Sequence, residues 1–281
     1  MDYDPTKRAL FHPEDRDPTP GFGLRWSREL ICAELSRLAY YRFEDDNRAR
    51  LTAALRGGGF SDPQPFVSAA EGAQGFGTIG DGVAYVAFRG TQPDSVRDLL
   101  ADARFGPEPW PGGGNVHGGF LRVFDPLHRG IKDWLGRAGH RALVATGHSL
   151  GAAMATLMAA AHPEAQLISF GSPRVGDRTF AGLFAGRQIE RFVDCADMVT
   201  QLPPDGLFGY VHLDGLRYID RHGRLAAAPP SQGAIDADRT AARLAYVPLA
   251  VDVLDNVPTR DLADHAPINY VGALLGQRTG P

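Results

Sequence analysis

The chain has 281 residues, 43% hydrophobic and 22% charged, with a formal net charge of −4. That length holds one large α/β domain or two small ones, and the composition is ordinary for a globular protein. The acidic balance argues against nucleic acid as a partner, and two isolated cysteines, Cys32 and Cys195, exclude a zinc site or a disulfide framework while leaving one bridge open.

Residues 1–23 read as a polar arm bearing Asp2, Asp4, Lys7, Arg8, Glu14 and Asp15. With no apolar stretch there, no signal peptide is expected, which points to a cytoplasmic chain or a mature or leaderless exported form. Ser27 starts an amphipathic helix with Leu30, Ile31, Leu35, Leu38 and Ala39 on one face. Gly57-Gly58-Gly59 ends the next helical segment. Strands are expected over 66–69, 74–79 and 83–88, the last two joined by Gly80-Asp81-Gly82. Gly75 to Gly80 matches G-x-G-x-x-G, but a strand follows where a dinucleotide site needs a helix, so the match is accidental.

A loop-rich region follows over 92–114. Within it Val96, Leu99 and Leu100 share one helical face between glycine- and proline-rich flanks. Such a segment is either a movable lid or a packed surface helix. Residues 118–136 read as helix and 141–146 as strand. The longest apolar run, Leu150 to Ala161, is too short to span a bilayer, which needs about 20 residues. Strands are expected over 166–170 and 188–194, a hairpin over 210–212 and 216–218, a loop over 229–237, and an amphipathic helix over 239–255 carrying Leu244, Val247, Leu249, Val251 and Leu254. The alternation of strands and helices from 83 to 195 predicts a mostly parallel central sheet with helices on both faces. No repeat or composition break marks a second domain, so residues 1–281 are expected to form one.

The chemistry centres on Gly147-His148-Ser149-Leu150-Gly151, a G-x-S-x-G between an apolar strand and an alanine-rich helix. Gly147 and Gly151 remove β-carbons that a tight turn could not hold, which exposes Ser149 over a helix N-terminus. A serine needs a histidine as base and a carboxylate to orient it. In an α/β-hydrolase both follow the nucleophile in sequence. Of the later histidines, His162 ends the elbow helix, His212 lies in a strand and His222 in a turn, so His265, in a loop between helices, is the expected base. Asp197, just past a strand end, is preferred as the acid over Asp194, Asp177 and Asp264. For the oxyanion, Gly90-Thr91 follows a strong apolar strand and His117-Gly118-Gly119 does not. The expected donors are therefore Thr91 and the N–H of Leu150.

These stretches together resemble the class 3 (fungal-type) lipases. The matching segments are Phe88-Arg89-Gly90-Thr91, Val116 to Phe120, Thr146 to Gly151, Phe170 to Asp177, Asp197-Met198-Val199 with Leu202-Pro203-Pro204, and Asp264-His265 with Tyr270. The resemblance implies an α/β-hydrolase fold, a Ser149–His265–Asp197 triad, oxyanion donors at Thr91 and Leu150, and a lid near 92–110. It implies a triacylglycerol lipase that works through an acyl-enzyme on an acyl ester, with transient contact at a lipid–water interface and no metal or organic cofactor. A phospholipase A1 or a feruloyl or aryl esterase is the alternative within enzymes, and a non-catalytic lipase-like binding protein the alternative outside them.

Overall fold

The computed structural model describes residues 2–41, 43, 45–91, 106–204 and 206–276. Its strands are β1 (Gln64–Ser68), β2 (Ala73–Gly80), β3 (Val83–Phe88), β4 (Pro107–Pro109), β5 (Asn115–His117), β6 (Ala142–His148), β7 (Gln166–Phe170), β8 (Gly176–Asp177), β9 (Ile189–Asp194), β10 (Tyr210–Val211) and β11 (Leu216–Ile219). Seven form one sheet in the order β1-β2-β3-β6-β7-β9-β11. The β1–β2 and β2–β3 pairs are antiparallel, and every pair from β3 to β11 is parallel. A smaller sheet, β10-β8-β5-β4, lies beside it.

Alternation along the strands splits the core into two layers. Val83, Tyr85, Ala87 and Val144 join the cluster that holds the helix Arg28–Leu38 and the helix Pro267–Leu274. Ala84, Val86, Phe88, Leu143 and Ala145 join the cluster that holds Gly118–Leu135 and Leu150–Ala161. Both faces of the parallel strands are thus covered, which is why β3 is buried at every position. This is the α/β-hydrolase architecture the sequence implies.

The glycines at 75, 77 and 80 lie within β2 and its pairing with β3. A β-carbon on Gly77 would run into the Trp134 ring, and one on Gly80 into Leu24 and Phe60. They are packing positions.

Three expectations need correction. The segments 210–212 and 216–218 do not pair as a hairpin: β10 pairs with β8, and β11 extends the main sheet parallel to β9. Gly215, at φ +89°, turns the chain, and its carbonyl accepts from Arg191 N at 2.8 Å, so the open edge of β9 captures the strand. The long helix spans Gln232–Asp252 and takes in most of the expected loop; Ser231 caps it by accepting from Ala234 N. Its inward residues are Ile235, Ala242 and Tyr246, whereas Leu244, Val247 and Val251 are exposed, as is Leu254 beyond its end. Counting apolar residues found the stripe with more aliphatic carbon, and packing selected the other.

The N-terminal arm is also more engaged than its polarity suggests. Tyr3, Ala9, Leu10 and Phe22 are buried, and the Tyr3 hydroxyl donates to Asp264 at 2.9 Å. Cys32 and Cys195 are both buried and unbridged. Among the described residues no helix is long and apolar enough to cross a membrane.

Candidate active site

Strand β6 ends at His148 and the helix Leu150–Ala161 begins one residue after Ser149. Ser149 carries the turn at φ 61° and ψ −127°, a strained backbone for a residue with a β-carbon. A β-carbon on Gly147 would collide with the Gly151 carbonyl, and one on Gly151 with the Phe88 carbonyl. The elbow is therefore pressed against the exit of β3, and only glycine fits at either side of the serine.

The Ser149 hydroxyl lies 2.9 Å from His265 Nε2, and His265 Nδ1 lies 2.9 Å from each carboxylate oxygen of Asp197. A carboxylate only accepts, so Nδ1 carries the ring proton and donates it to Asp197. Nε2 is left to accept from the serine. The sequence-predicted nucleophile, base and acid are thus brought together. All three are closed to solvent: Ser149 and Asp197 are 0% exposed and His265 1%.

Two loops set this geometry. His265 sits between Arg260–Ala263, capped by Thr259, and Pro267–Leu274, which has proline in its first turn. Asp197 follows β9 in a turn closed by its own N–H on the Asp194 carbonyl, 2.8 Å. Asp264 ties the loops together: it accepts from Ala196 N at 3.0 Å and pairs with the buried Arg260 at 2.6 Å. Asp264, to which Asp197 is preferred as the acid, is thus a tie between the two loops and makes no bond to the His265 ring among the contacts above. Asp194, the other acid considered, has its backbone N–H on the Tyr270 hydroxyl at 3.1 Å.

Tyr270 is the residue that spacing alone did not find. Its hydroxyl donates to Asp197 Oδ2 at 2.6 Å, while Val199 N donates to Oδ1 at 2.9 Å. Burial, then the Asp197 charge, pushes the phenol well above its ordinary value, so it remains a donor. The one sequence signal for it was its place in the family-like C-terminal segment. His148 was likewise unassigned. Its ring lies 4.5 Å from that of His265 by centroids, and Tyr40 is hydrogen-bonded to its Nδ1 at 2.7 Å. Burial first, then neighbouring His265, holds the His148 pKa well below the usual imidazole value. It therefore packs on the base without adding charge.

For the oxyanion, Leu150 is the first residue of its helix, so its N–H stands outside the helical ladder. A β-carbon on Gly90 would lie 3.1 Å from Ser149 Cβ, so the backbone leading into Thr91 passes beside the serine. His117 has another occupation. It caps the helix Gly118–Leu135 by accepting from Gly119 N at 3.2 Å and stacks near Phe120. Val96, Leu99 and Leu100 lie outside the described residues. Of the region expected to be loop, Pro107–Pro109 and Asn115–His117 pair as β4 and β5. Among the described residues no group of three or more His, Cys, Asp or Glu side chains is placed to hold a metal ion.

Comparison with known proteins finds similarity to lipases. The family described as Lipase (class 3) matches residues 85–207. The chain is 33% identical over 166 residues to the secreted mono- and diacylglycerol lipase A of Penicillium cyclopium, covering 54% of this chain and 53% of that protein. It is 31% identical over 151 residues to a chloroplastic phospholipase A(1) of Arabidopsis thaliana, covering 42% and 33%. The chain thus spans about half the length of the first of these relatives and a third of the second. Among solved structures, a triacylglycerol lipase with a catalytic centre described as a serine protease triad superposes with a TM-score of 0.56 at 26% identity, covering 68% of this chain and 79% of that one.

Proposed function

We propose that this chain, which belongs to the class 3 lipase family, hydrolyses carboxylic esters of acylglycerols through an acyl-enzyme on Ser149. The observation that carries the reading is the continuous chain from Ser149 Oγ through His265 to Asp197, each link 2.9 Å. His265 Nε2 takes the serine proton as Oγ attacks the ester carbonyl, and the carbonyl oxygen gains charge facing the Leu150 N–H and Thr91. His265 then returns the proton to the leaving alcohol. Water attacks the acyl-serine by the same route, its proton passing to Nε2 and then to Ser149. Asp197, held by Tyr270 and Val199 N, steadies the imidazolium at each stage. Every step is a proton or acyl transfer among these groups, so the mechanism requires no cofactor.

Acylglycerols are the substrate class favoured by the similarity to a mono- and diacylglycerol lipase, and glycerophospholipids are the second reading, favoured by the similarity to a phospholipase A(1). A role in binding alone leaves the assembled triad unexplained. A serine-directed organophosphate, such as diethyl p-nitrophenyl phosphate, tests the nucleophile. One diethylphosphoryl group should appear on Ser149 by peptide mass, with loss of esterase activity in proportion. Full inactivation with the label elsewhere would reject the assignment.

A further inference from the structure

Three buried or half-buried arginines converge beneath the loop that carries Asp197. They line a cleft of about 560 Å³ together with Thr200, Gln201 and Gln232. Arg191 rises from β9, Arg174 from the loop after β7, and Arg239 from the long helix. Arg191 is 8% exposed. Its recorded side-chain bond is from Nε to the Leu213 carbonyl at 3.3 Å, and no carboxylate among the described residues lies within ion-pair distance of it. The other deeply buried arginines among the described residues are ion-paired. Arg37 is paired with Glu34 and Arg260 with Asp264, each at 2.6 Å. A buried guanidinium with no counter-charge among the described residues is costly, and this one borders an open cavity.

Its neighbours add to the positive field. Arg174 Nη1 donates to the carbonyls of Gln201 and Pro203 at 2.7 Å each, and Arg239 Nε to the Cys195 carbonyl at 2.9 Å. Burial, then the Arg174 charge, brings the Arg191 pKa down to about 10, with Arg239 acting in the same sense against Tyr270 and Asp214. Gln232, the first residue of the 21-residue helix, also lines the cleft, so that helix presents its positive end there. Among the described residues the acidic one at the wall is Asp236, itself engaged by Gln232 at 2.8 Å and by Arg239 at 3.8 Å. His212 contributes no charge, since its Nε2 donates to the Thr200 carbonyl at 2.7 Å and burial holds it neutral.

We infer that this cleft binds a phosphate group, with Arg191 as its principal ligand. Guanidiniums from three separate elements surround an anion on several sides, which suits the three or four oxygens of a phosphate better than the two of a carboxylate. The same chemistry is offered by inorganic phosphate and by the phosphate of a glycerophospholipid. Binding here would brace the acid loop, because the arginines at the cleft already hold its carbonyls.

The test is a binding measurement on the full chain and does not depend on ester turnover. Isothermal calorimetry and thermal unfolding would compare sodium phosphate with sodium chloride and sodium acetate at equal ionic strength, and with a dihexyl ether analogue of phosphatidic acid, which has no ester carbonyl for Ser149 to attack, below its micelle concentration. One phosphate per chain should bind in the millimolar range or tighter and raise the unfolding midpoint. Arg191→Gln should weaken it roughly tenfold or more, and Arg239→Gln, at the cleft wall, should act in the same direction. A stronger response to the phosphatidic acid analogue identifies a lipid headgroup as the source, and equal responses identify free phosphate. The inference fails if wild-type protein shows neither heat nor shift with either phosphate, if acetate matches them, or if both arginine variants bind as the wild type does.

Discussion

At Asp197 the carboxylate accepts from His265 Nδ1, the Tyr270 hydroxyl and Val199 N. Three donors leave it no freedom to rotate. Tyr270 therefore acts through Asp197 as a positioning residue. Tyr270→Phe keeps the ring against Phe170 and His148 and removes the donor. We expect kcat on a soluble ester to fall roughly ten- to hundredfold, on the scale of one hydrogen bond to a charged group, about 1.5–3 kcal/mol, with KM little changed. The pH–rate profile should move with it, because the loss is felt by the His265–Asp197 pair. A rise in KM at constant kcat would instead assign Tyr270 to substrate binding.

At the scale of elements, the elbow was legible because its chemistry is local. Gly147, Ser149 and Gly151 announce a strand–turn–helix that only glycine permits, and the flanking runs give its strand and helix. His265 and Asp197 were legible through chain order and the loops that hold them. Tyr270 and Asp264 were harder to read because their partners lie 73 and 68 residues away, at Asp197 and Ala196. The β10–β11 segment was misread because pairing was decided by the free edges of β8 and β9, which no local pattern encodes. The long helix was misread because two apolar stripes compete and only tertiary contact selects one.

Burial of the triad gives the access problem a concrete form: no ester reaches Ser149 until covering atoms move. Our proposal is that Val96, Leu99 and Leu100, which lie outside the described residues, supply an apolar face that a lipid surface draws away. Burying such side chains is worth about 1.5–3 kcal/mol each when complete, enough to favour a closed state in water. Assays of a long-chain ester across its solubility limit should show a step in rate. Leu99→Ser with Leu100→Ser should flatten that step and spare short soluble esters. A wild-type curve with no step would place soluble esters above acylglycerol droplets as substrate.

Across the whole molecule, stability should be sensitive to acid. Burial pushes His117 down to about 4 and lowers His148 and His212 well below their usual range. An unfolded histidine titrates near 6.5, so between about 6.5 and 4 the unfolded chain binds more protons than the folded one. The contribution is fully present above about 6.5 and is lost as pH falls toward 4. His117→Asn retains a capping acceptor for Gly118–Leu135 and removes the titration. Urea unfolding at pH 7.5 and pH 5 should show a smaller loss of stability on acidification in the variant than in the wild type. Equal losses would mean that His117 does not titrate with folding.

At this scale too, residues 149, 197 and 265, drawn from the elbow after β6, the turn after β9 and a loop between two helices, are proposed to act as a unit. Steady-state hydrolysis of a short soluble p-nitrophenyl ester by Ser149→Ala, Asp197→Ala, His265→Ala and Asp194→Ala, each checked for folding by circular dichroism, measures it most directly. kcat should fall roughly 10⁴-fold or more for the serine and histidine variants, by a comparable order for Asp197→Ala, and far less for Asp194→Ala. A folded Ser149→Ala protein with wild-type turnover, or an Asp197→Ala protein that stays active while Asp194→Ala is dead, would contradict this proposal.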